Sequence, residues 1–424
     1  MNITISRRQM LRSLAMLAPS TILNHALACE ASAKVSNFPA SMNPNSSIGP
    51  YPDSTLPDGV RSRFVENING LRMHVLEAGF EGANRPGLLL LHGFPELAFS
   101  WRKIMIPLAK KGYHVMAPDQ RGYGRTTGWE PGYDIDISPY RRLNSVRDVL
   151  GLIYAMGHLT VDVVGHDFGS PVAAWCAVTR PDVFTSVTLM SAPFGGTGKI
   201  PFDTVNKPSG KPSTKPVLYE ELAKLPRPRK HYQQYYRTRE ANENMWHASQ
   251  GLHAFLRAYY HHKSADWEGN KPFRLASCTA KEMAKMPTYY IMDMAEGMAE
   301  TVAKYMPSDE AIAANTWLPD EELWVYTEEY QRNGFQGGLN WYRGSVLASP
   351  EQELFAGLKI EQPSVFISGA SDWGNYQNPG ALERMQNEAC TNMVGVHFVD
   401  GAGHWVQQEQ PEKTAELLIA FLQA

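Results

Sequence analysis

The chain is poor in cysteine: Cys29, Cys176, Cys278 and Cys390 are the four in 424 residues. None has the spacing of a metal site, and the three beyond Cys29 are too few and odd in number for a disulfide framework. They read as buried or free thiols. The chain also lacks a charge bias, with 40 Lys and Arg against 43 Asp and Glu and a net charge of −3. Its basic residues are scattered rather than blocked, which excludes an electrostatic nucleic-acid surface. No apolar run is long enough to span a bilayer, and no internal repeat is present. What remains is a hydrophobic content of 43%, enough for one large core with an insertion or two modest domains.

Residues 1–28 read as an export signal rather than as fold. Ser6-Arg7-Arg8-Gln9-Met10-Leu11 carries paired arginines, Leu14–Ala18 is a modest apolar segment, and Ala26-Leu27-Ala28 is a small-x-small cleavage site. The segment resembles a twin-arginine signal, implying export of a folded protein to a bacterial periplasm or beyond; a disordered basic tail is the alternative. Cys29 directly follows the cleavage site and is a candidate lipidated residue, although Ala26 stands where a lipoprotein box expects Leu. Residues 29–60 are rich in Ser, Asn and Pro and read as a linker or surface strap.

From residue 61 onward strand and helix patterns alternate. Arg63–Val65 and Leu71–Glu77 flank Asn67-Ile68-Asn69-Gly70 as an antiparallel hairpin. Gly87–Leu91, His114–Pro118, Thr160–Gly165, Ser186–Met190, Ser364–Ser368 and Val394–Val399 are short apolar runs separated by helix patterns at Ser100–Lys111, Leu143–Met156, Ala381–Ala389 and Pro411 to the end. Strands that are apolar on both faces belong to a mostly parallel sheet with helices on both sides. Residues 61–194 and 350–424 thus form an α/β core. Residues 195–349, rich in Tyr, Trp, Met and helix formers and without parallel-strand runs, read as an inserted helical lid opening with a Lys207–Lys215 loop. Its Met283, Met286, Met292, Met294, Met298 and Met306 read as core filling, with an adaptable apolar substrate wall as the alternative.

The chemistry centres on Gly165-His166-Asp167-Phe168-Gly169. A buried strand ends at Gly165 and a helix begins near Ser170, so the chain turns sharply with a glycine on either side of its apex. This is the spacing that lifts a nucleophile above the strand ends, here with Asp167 at the apex. A carboxylate attacking an acyl carbon would form a high-energy anhydride. Attack on a saturated carbon with an oxygen or halide leaving group instead forms an alkyl ester that water can hydrolyse. An ordinary glycine turn with a solvated Asp is the bland alternative.

Two later strand ends carry possible partners, Asp372 in Ser368-Gly369-Ala370-Ser371-Asp372 and His404 in Gly401-Ala402-Gly403-His404. Carboxyl ends of parallel strands converge on one edge of the sheet, and the order nucleophile, acid, His is that of α/β-hydrolase triads. His404 is the candidate base for the attacking water and Asp372 its orienting acid. The backbone amides of Phe94, in Leu91-His92-Gly93-Phe94-Pro95, and of Phe168 are candidates for an oxyanion hole. Asp119-Gln120-Arg121-Gly122-Tyr123-Gly124 is a polar loop given a structural role only.

With these motifs the chain from about Arg63 to Ala424 resembles the α/β-hydrolase-fold epoxide hydrolases. The resemblance implies two lid tyrosines that donate protons to the epoxide oxygen. Tyr342, in Leu339-Asn340-Trp341-Tyr342-Arg343, matches one; Tyr232 is the better match for the other, with Tyr235 its neighbouring competitor. The sequence departs from the family at Arg237, where Gln is usual, and at Phe168, where Trp is common. Phe168 cannot donate an N–H to a halide, which counts against the rival reading as a haloalkane or haloacid dehalogenase. A non-catalytic hydrolase-fold binding protein is a rival of another class. The expected reaction joins a small apolar epoxide and water, with no cofactor and no metal; nothing in the sequence bears on oligomeric state.

Overall fold

A computed structural model describes residues 48–198, 215–346 and 350–424. The export signal, Cys29, most of the 29–60 linker and residues 207–214 of the lid loop lie outside the described residues. In chain order the strands are β1 (Val60–Ile68), β2 (Leu71–Ala78), β3 (Gly87–Leu91), β4 (His114–Pro118), β5 (Val161–His166), β6 (Phe184–Met190), β7 (Arg229–His231), β8 (Ile291–Asp293), β9 (Ser364–Gly369) and β10 (Met393–Val399). Eight of them form one sheet in the order β1-β2-β4-β3-β5-β6-β9-β10. β1 and β2 make an antiparallel hairpin, β2 pairs antiparallel with β4, and every other neighbour is parallel.

The hairpin turn is tighter than the expected four-residue link. Ile68 already pairs with Leu71, and Asn69 and Gly70 adopt φ +49° and +83°. Two positive φ values in a row define the two-residue turn that Asn-Gly favours.

Leu88, Leu89, Leu90 and Leu91 are fully buried, as are most of β5 and β6, because helices cover both faces of the parallel strands. These include Arg102–Lys110, Arg142–Ala155, Gly169–Thr179 and Pro411–Leu422. The pattern at Ala381–Ala389 resolves into a short α-turn at Ala381–Arg384 and a π-turn at Met385–Ala389. β3 lies between β4 on one side and β5 on the other, so the chain leaves β3 in opposite directions. The crevice at such a switch point, outside the carboxyl ends of β3 and β5, is where open α/β sheets bind ligands.

Among the described residues the chain between β6 and β9 carries helices from Lys215–Ala223 to Pro350–Glu353 and, in addition, the two-stranded antiparallel pair β7–β8. Strands of three residues are too short to leave an alternation in the sequence. Met283, Met286, Met292 and Met298 are buried in this insertion, whereas Met294 and Met306 are exposed at 39% and 42%, so core filling accounts for only four of the six. Of the cysteines, Cys176 and Cys390 are buried and Cys278 is exposed, all three free. No helix among the described residues is long and apolar enough to cross a membrane.

Candidate active site

The apex of the site is a backbone requirement. Asp167 adopts φ +49°, in the left-handed region that few side-chain-bearing residues occupy outside strained functional turns. A Cβ on Gly165 would lie 2.2 Å from the Gly169 carbonyl oxygen, and one on Gly169 would lie 2.1 Å from that of Leu91. Both glycines are therefore dictated by how tightly the strand-to-helix turn folds against β3. The turn places the Asp167 side chain over Gly93, and the Phe94 amide donates to Asp167 Oδ1 at 2.9 Å. Phe168 is the N-cap of the helix Gly169–Thr179, where amides have no intrahelical acceptor.

β9 delivers Asp372 and β10 delivers His404. His404 Nδ1 lies 3.1 Å from both carboxylate oxygens of Asp372, and Asp372 is held in turn by the Gly374 amide at 2.6 Å and the Ser368 hydroxyl at 3.2 Å. His404 Nε2 faces Asp167 Oδ2 at 3.2 Å, close enough for an ion pair but without the alignment of a hydrogen bond. The structure thus brings Asp167, His404 and Asp372 into one line.

Charges in this line support one another. Burial opposes ionisation of Asp167, but His404 and the ammonium of Lys263 outweigh it and hold the carboxyl below the usual carboxylate range. Asp372 is likewise lowered, with burial opposed by His404 and the Gly374 amide. Burial and Lys263 disfavour a charged His404, yet Asp372 and Asp167 prevail and push its pKa up to about 9. At neutral pH the resting site therefore holds two carboxylates around an imidazolium.

Tyr232 and Tyr342 come from the insertion and are both buried, at 5% and 4% exposure, with their rings 6.1 Å apart. Burial raises both phenols well above their ordinary pKa, and the charge of Asp167 raises them further. Tyr342 packs edge-on against Phe94 and Phe168, at 5.6 and 5.0 Å, and its hydroxyl has no hydrogen-bond partner among the described residues. The Tyr232 hydroxyl donates to Gln377 Oε1 and accepts from Gln233 Nε2, both at 3.1 Å. Tyr235 instead donates to Asn244, beside a cleft lined by Lys230, Glu240 and Glu300.

The helix Gln336–Gly344 that carries Tyr342 is seated on the Asp119–Gly124 loop. Trp341 Nε1 donates to the Arg121 carbonyl at 2.7 Å, and a Cβ on Gly337 would meet the Gly122 carbonyl at 2.1 Å. Asp119, buried, accepts from the amides of Ala98 and Arg125 and contacts His74 Nδ1 at 2.7 Å. Because backbone, not a side chain, occupies the space above Gly337, Gly337→Ala is expected to displace Tyr342. Activity should fall at least tenfold and thermal melting should drop, a loss of roughly 1–3 kcal/mol; unchanged activity and melting would contradict this packing.

Several residues that hold the site together carried no pattern in the sequence. Glu96 is fully buried and accepts from the Gly93 amide and Gln407, while its Oε2 meets His166 Nδ1 at 2.5 Å. His166 Nε2 lies 2.7 Å from the His404 carbonyl oxygen. This chain links the Phe94 loop, the nucleophile turn and the His404 loop. Glu409 accepts from the amides of Ala265, Gly403 and Trp405, each at 2.8 Å, and so ties the insertion to the same loop. The only signals for Glu96 and His166 were their places beside the Phe94 and Asp167 motifs.

A family model of the α/β-hydrolase fold matches residues 86–411. The chain is 33% identical over 365 residues to epoxide hydrolase B of Mycobacterium tuberculosis, covering 84% of this chain and 97% of that protein, and 31% identical over 367 residues to epoxide hydrolase A of the same organism, covering 86% and 98%. It superposes on an epoxide hydrolase from an endophytic Streptomyces with a TM-score of 0.67 at 29% identity, covering 87% of this chain and 96% of that one. The potato epoxide hydrolase I gives 0.63 at 28%, covering 86% and 99%. The chain belongs to the α/β-hydrolase-fold family and, within it, to the epoxide hydrolases.

Proposed function

We propose that this enzyme converts an epoxide to a vicinal diol through an ester on Asp167. The observation that carries the reading is an Asp, rather than Ser, on the nucleophile turn, facing His404 at 3.2 Å beneath two buried tyrosines. The names of its relatives point to the same substrate class. In the first step an Asp167 carboxylate oxygen attacks an epoxide carbon and the carbon–oxygen bond breaks. The departing oxygen takes the bonding pair and a proton from Tyr342 or Tyr232. In the second step water attacks the carbonyl carbon of the ester while His404 takes its proton, with Asp372 orienting the ring. The Phe94 and Phe168 amides hold the oxyanion. Collapse of that intermediate expels the second diol oxygen, which receives the proton from His404. The phenolate has by then been reprotonated by the resting imidazolium, and the acid proton left on Asp167 passes to His404, so carboxylate, imidazolium and phenol are all restored.

The first test is mass-spectrometric detection of diol from aryl, alkyl and bulky epoxides, with a single turnover in ¹⁸O-water at excess enzyme. Label should enter Asp167 and leave the first diol unlabelled. Label in that diol would mean direct attack by water; halide release without diol formation would favour the dehalogenase, and binding without turnover the non-catalytic protein.

The phenols carry a separate expectation. Tyr342 has a free hydroxyl whereas Tyr232 is engaged by Gln377, so Tyr342→Phe should slow ester formation about 10–100-fold and Tyr232→Phe by less. The double variant should lose ring opening almost completely, as read by pre-steady-state ester formation. Equal and negligible losses in the single variants would remove the phenols from the mechanism.

We propose further that residues 195–349 act as the lid over this core, and that the chain is exported through its paired-arginine leader. Intact mass of the processed protein tests the second point: a chain beginning at Cys29 or nearby supports it, and a full-length cytoplasmic product overturns it.

A further inference from the structure

Lys263 closes the helix Leu252–Lys263 and is only 3% exposed. Buried lysines are ordinarily paired, yet the ammonium makes no hydrogen bond or ion pair with any described residue. It lies among the rings of Trp405, Tyr290, Tyr259 and Tyr289, at 5.1, 5.3, 5.6 and 5.9 Å. Its own carbonyl accepts from the His404 amide at 2.9 Å, and a Cβ on Gly403 would lie 2.6 Å from that carbonyl oxygen. The backbone of Lys263 is therefore joined to the loop that carries the active-site imidazole; burial lowers the pKa of its side chain, while Asp167, Asp372 and Glu96 and the surrounding rings favour the charged form.

We propose that Lys263 is a positioning residue of the ester-hydrolysis step: its fixed positive charge makes His404 the proton acceptor only after Asp167 has been alkylated. The inference rests on the ester pathway proposed above. Before reaction the imidazole has two carboxylates, Asp372 and Asp167, set against one ammonium, and the balance favours the imidazolium. Such a ring cannot take a proton from water. Ester formation removes the charge of Asp167 and leaves Asp372 opposed by Lys263, so the ring gives its proton to the phenolate left by ring opening and becomes a base. The phenol that protonates the epoxide oxygen, Tyr342 or Tyr232, is left as a phenolate and takes back the proton the ring gives up, so of the neighbouring groups none keeps a changed charge once the ester has formed. Glu96 pairs with His166, whose ring lies 5.1 Å from that of His404. Glu409 is tied to three backbone amides, and Tyr259 and Tyr289 are hydrogen-bonded to Tyr236 and Asn270.

The test is the pH dependence of ester formation and ester hydrolysis in the full chain, followed separately by rapid quench and mass spectrometry, for the parent, Lys263→Met and Lys263→Arg. Methionine keeps the unbranched stem and removes the charge. In Lys263→Met the apparent pKa of ester hydrolysis should rise by about one unit, slowing that step about tenfold at pH values below the parent's pKa and less above it, so that ester accumulates on the acid side. Lys263→Arg should return the profile toward the parent. A Met variant that melts like the parent and keeps its pH profile would overturn the proposal. So would an Arg variant as impaired as Met, since shape rather than charge would then be at stake. Absence of any ester in the parent itself would instead refute the pathway beneath it.

Discussion

Asp167→Ala is expected to abolish diol formation, lowering kcat by about 10⁴-fold or more, equivalent to roughly 5.5 kcal/mol of activation free energy. The size follows from the chemistry: without the carboxylate no ester forms, and a water in its place lacks both the ionised oxygen and the attack geometry. Asp167→Asn is the sharper control, because Asn tolerates the left-handed backbone at φ +49° and is nearly the same size. Both variants should keep a cooperative melt. Removing the Asp167 charge also withdraws one of the two carboxylates that raise His404, so its pKa should fall from about 9 in Asp167→Asn, as read by imidazole NMR. Diol formation at more than 1% of the parent rate by Asp167→Ala would place the nucleophile elsewhere.

His404→Gln is expected to stop turnover about as completely while leaving the first step running. Asp167 would still attack, but no group would deprotonate the water, so one equivalent of product would remain bound as an ester. Intact mass spectrometry should show the enzyme heavier by one epoxide, and digestion should find the added mass on the peptide containing Asp167. A variant that is inactive and never gains mass would mean that His404 is needed before the ester forms.

The parent enzyme should show the same separation as a function of pH. Asp167 is held below the usual carboxylate range, so it stays ionised and ring opening persists into acid. Hydrolysis needs a neutral His404, and its fraction falls as the pH drops below the ring's pKa in the ester. Acidification should therefore preserve a burst of ester formation while steady-state turnover declines, measurable by quenched flow from pH 5 to pH 9. Parallel loss of both phases would show that one ionisation governs both steps.

What the sequence determined by itself was local. The glycines around Asp167, the buried runs of β3 and β5, and the carboxylate and imidazole just beyond two later strands are fixed by backbone sterics and period. These features named the sheet, the turn and the candidate residues, because a strand-to-helix turn this tight excludes a Cβ at Gly165 and Gly169. The hairpin was visible for the same reason, through Asn69 and Gly70.

The tertiary structure alone decided everything that depends on distance. Tyr232 and Tyr235 are indistinguishable as letters three apart, but the Tyr232 ring lies 6.1 Å from that of Tyr342, whereas Tyr235 points from the same short helix toward Asn244. Met294 and Met306 look like their buried neighbours until the fold leaves them exposed. Glu96, His166, Glu409 and Lys263 are ordinary charged or polar residues in the sequence. They acquire a role only when the insertion and four strand ends close around them, since burial is what turns a solvated charge into one that shifts its neighbours.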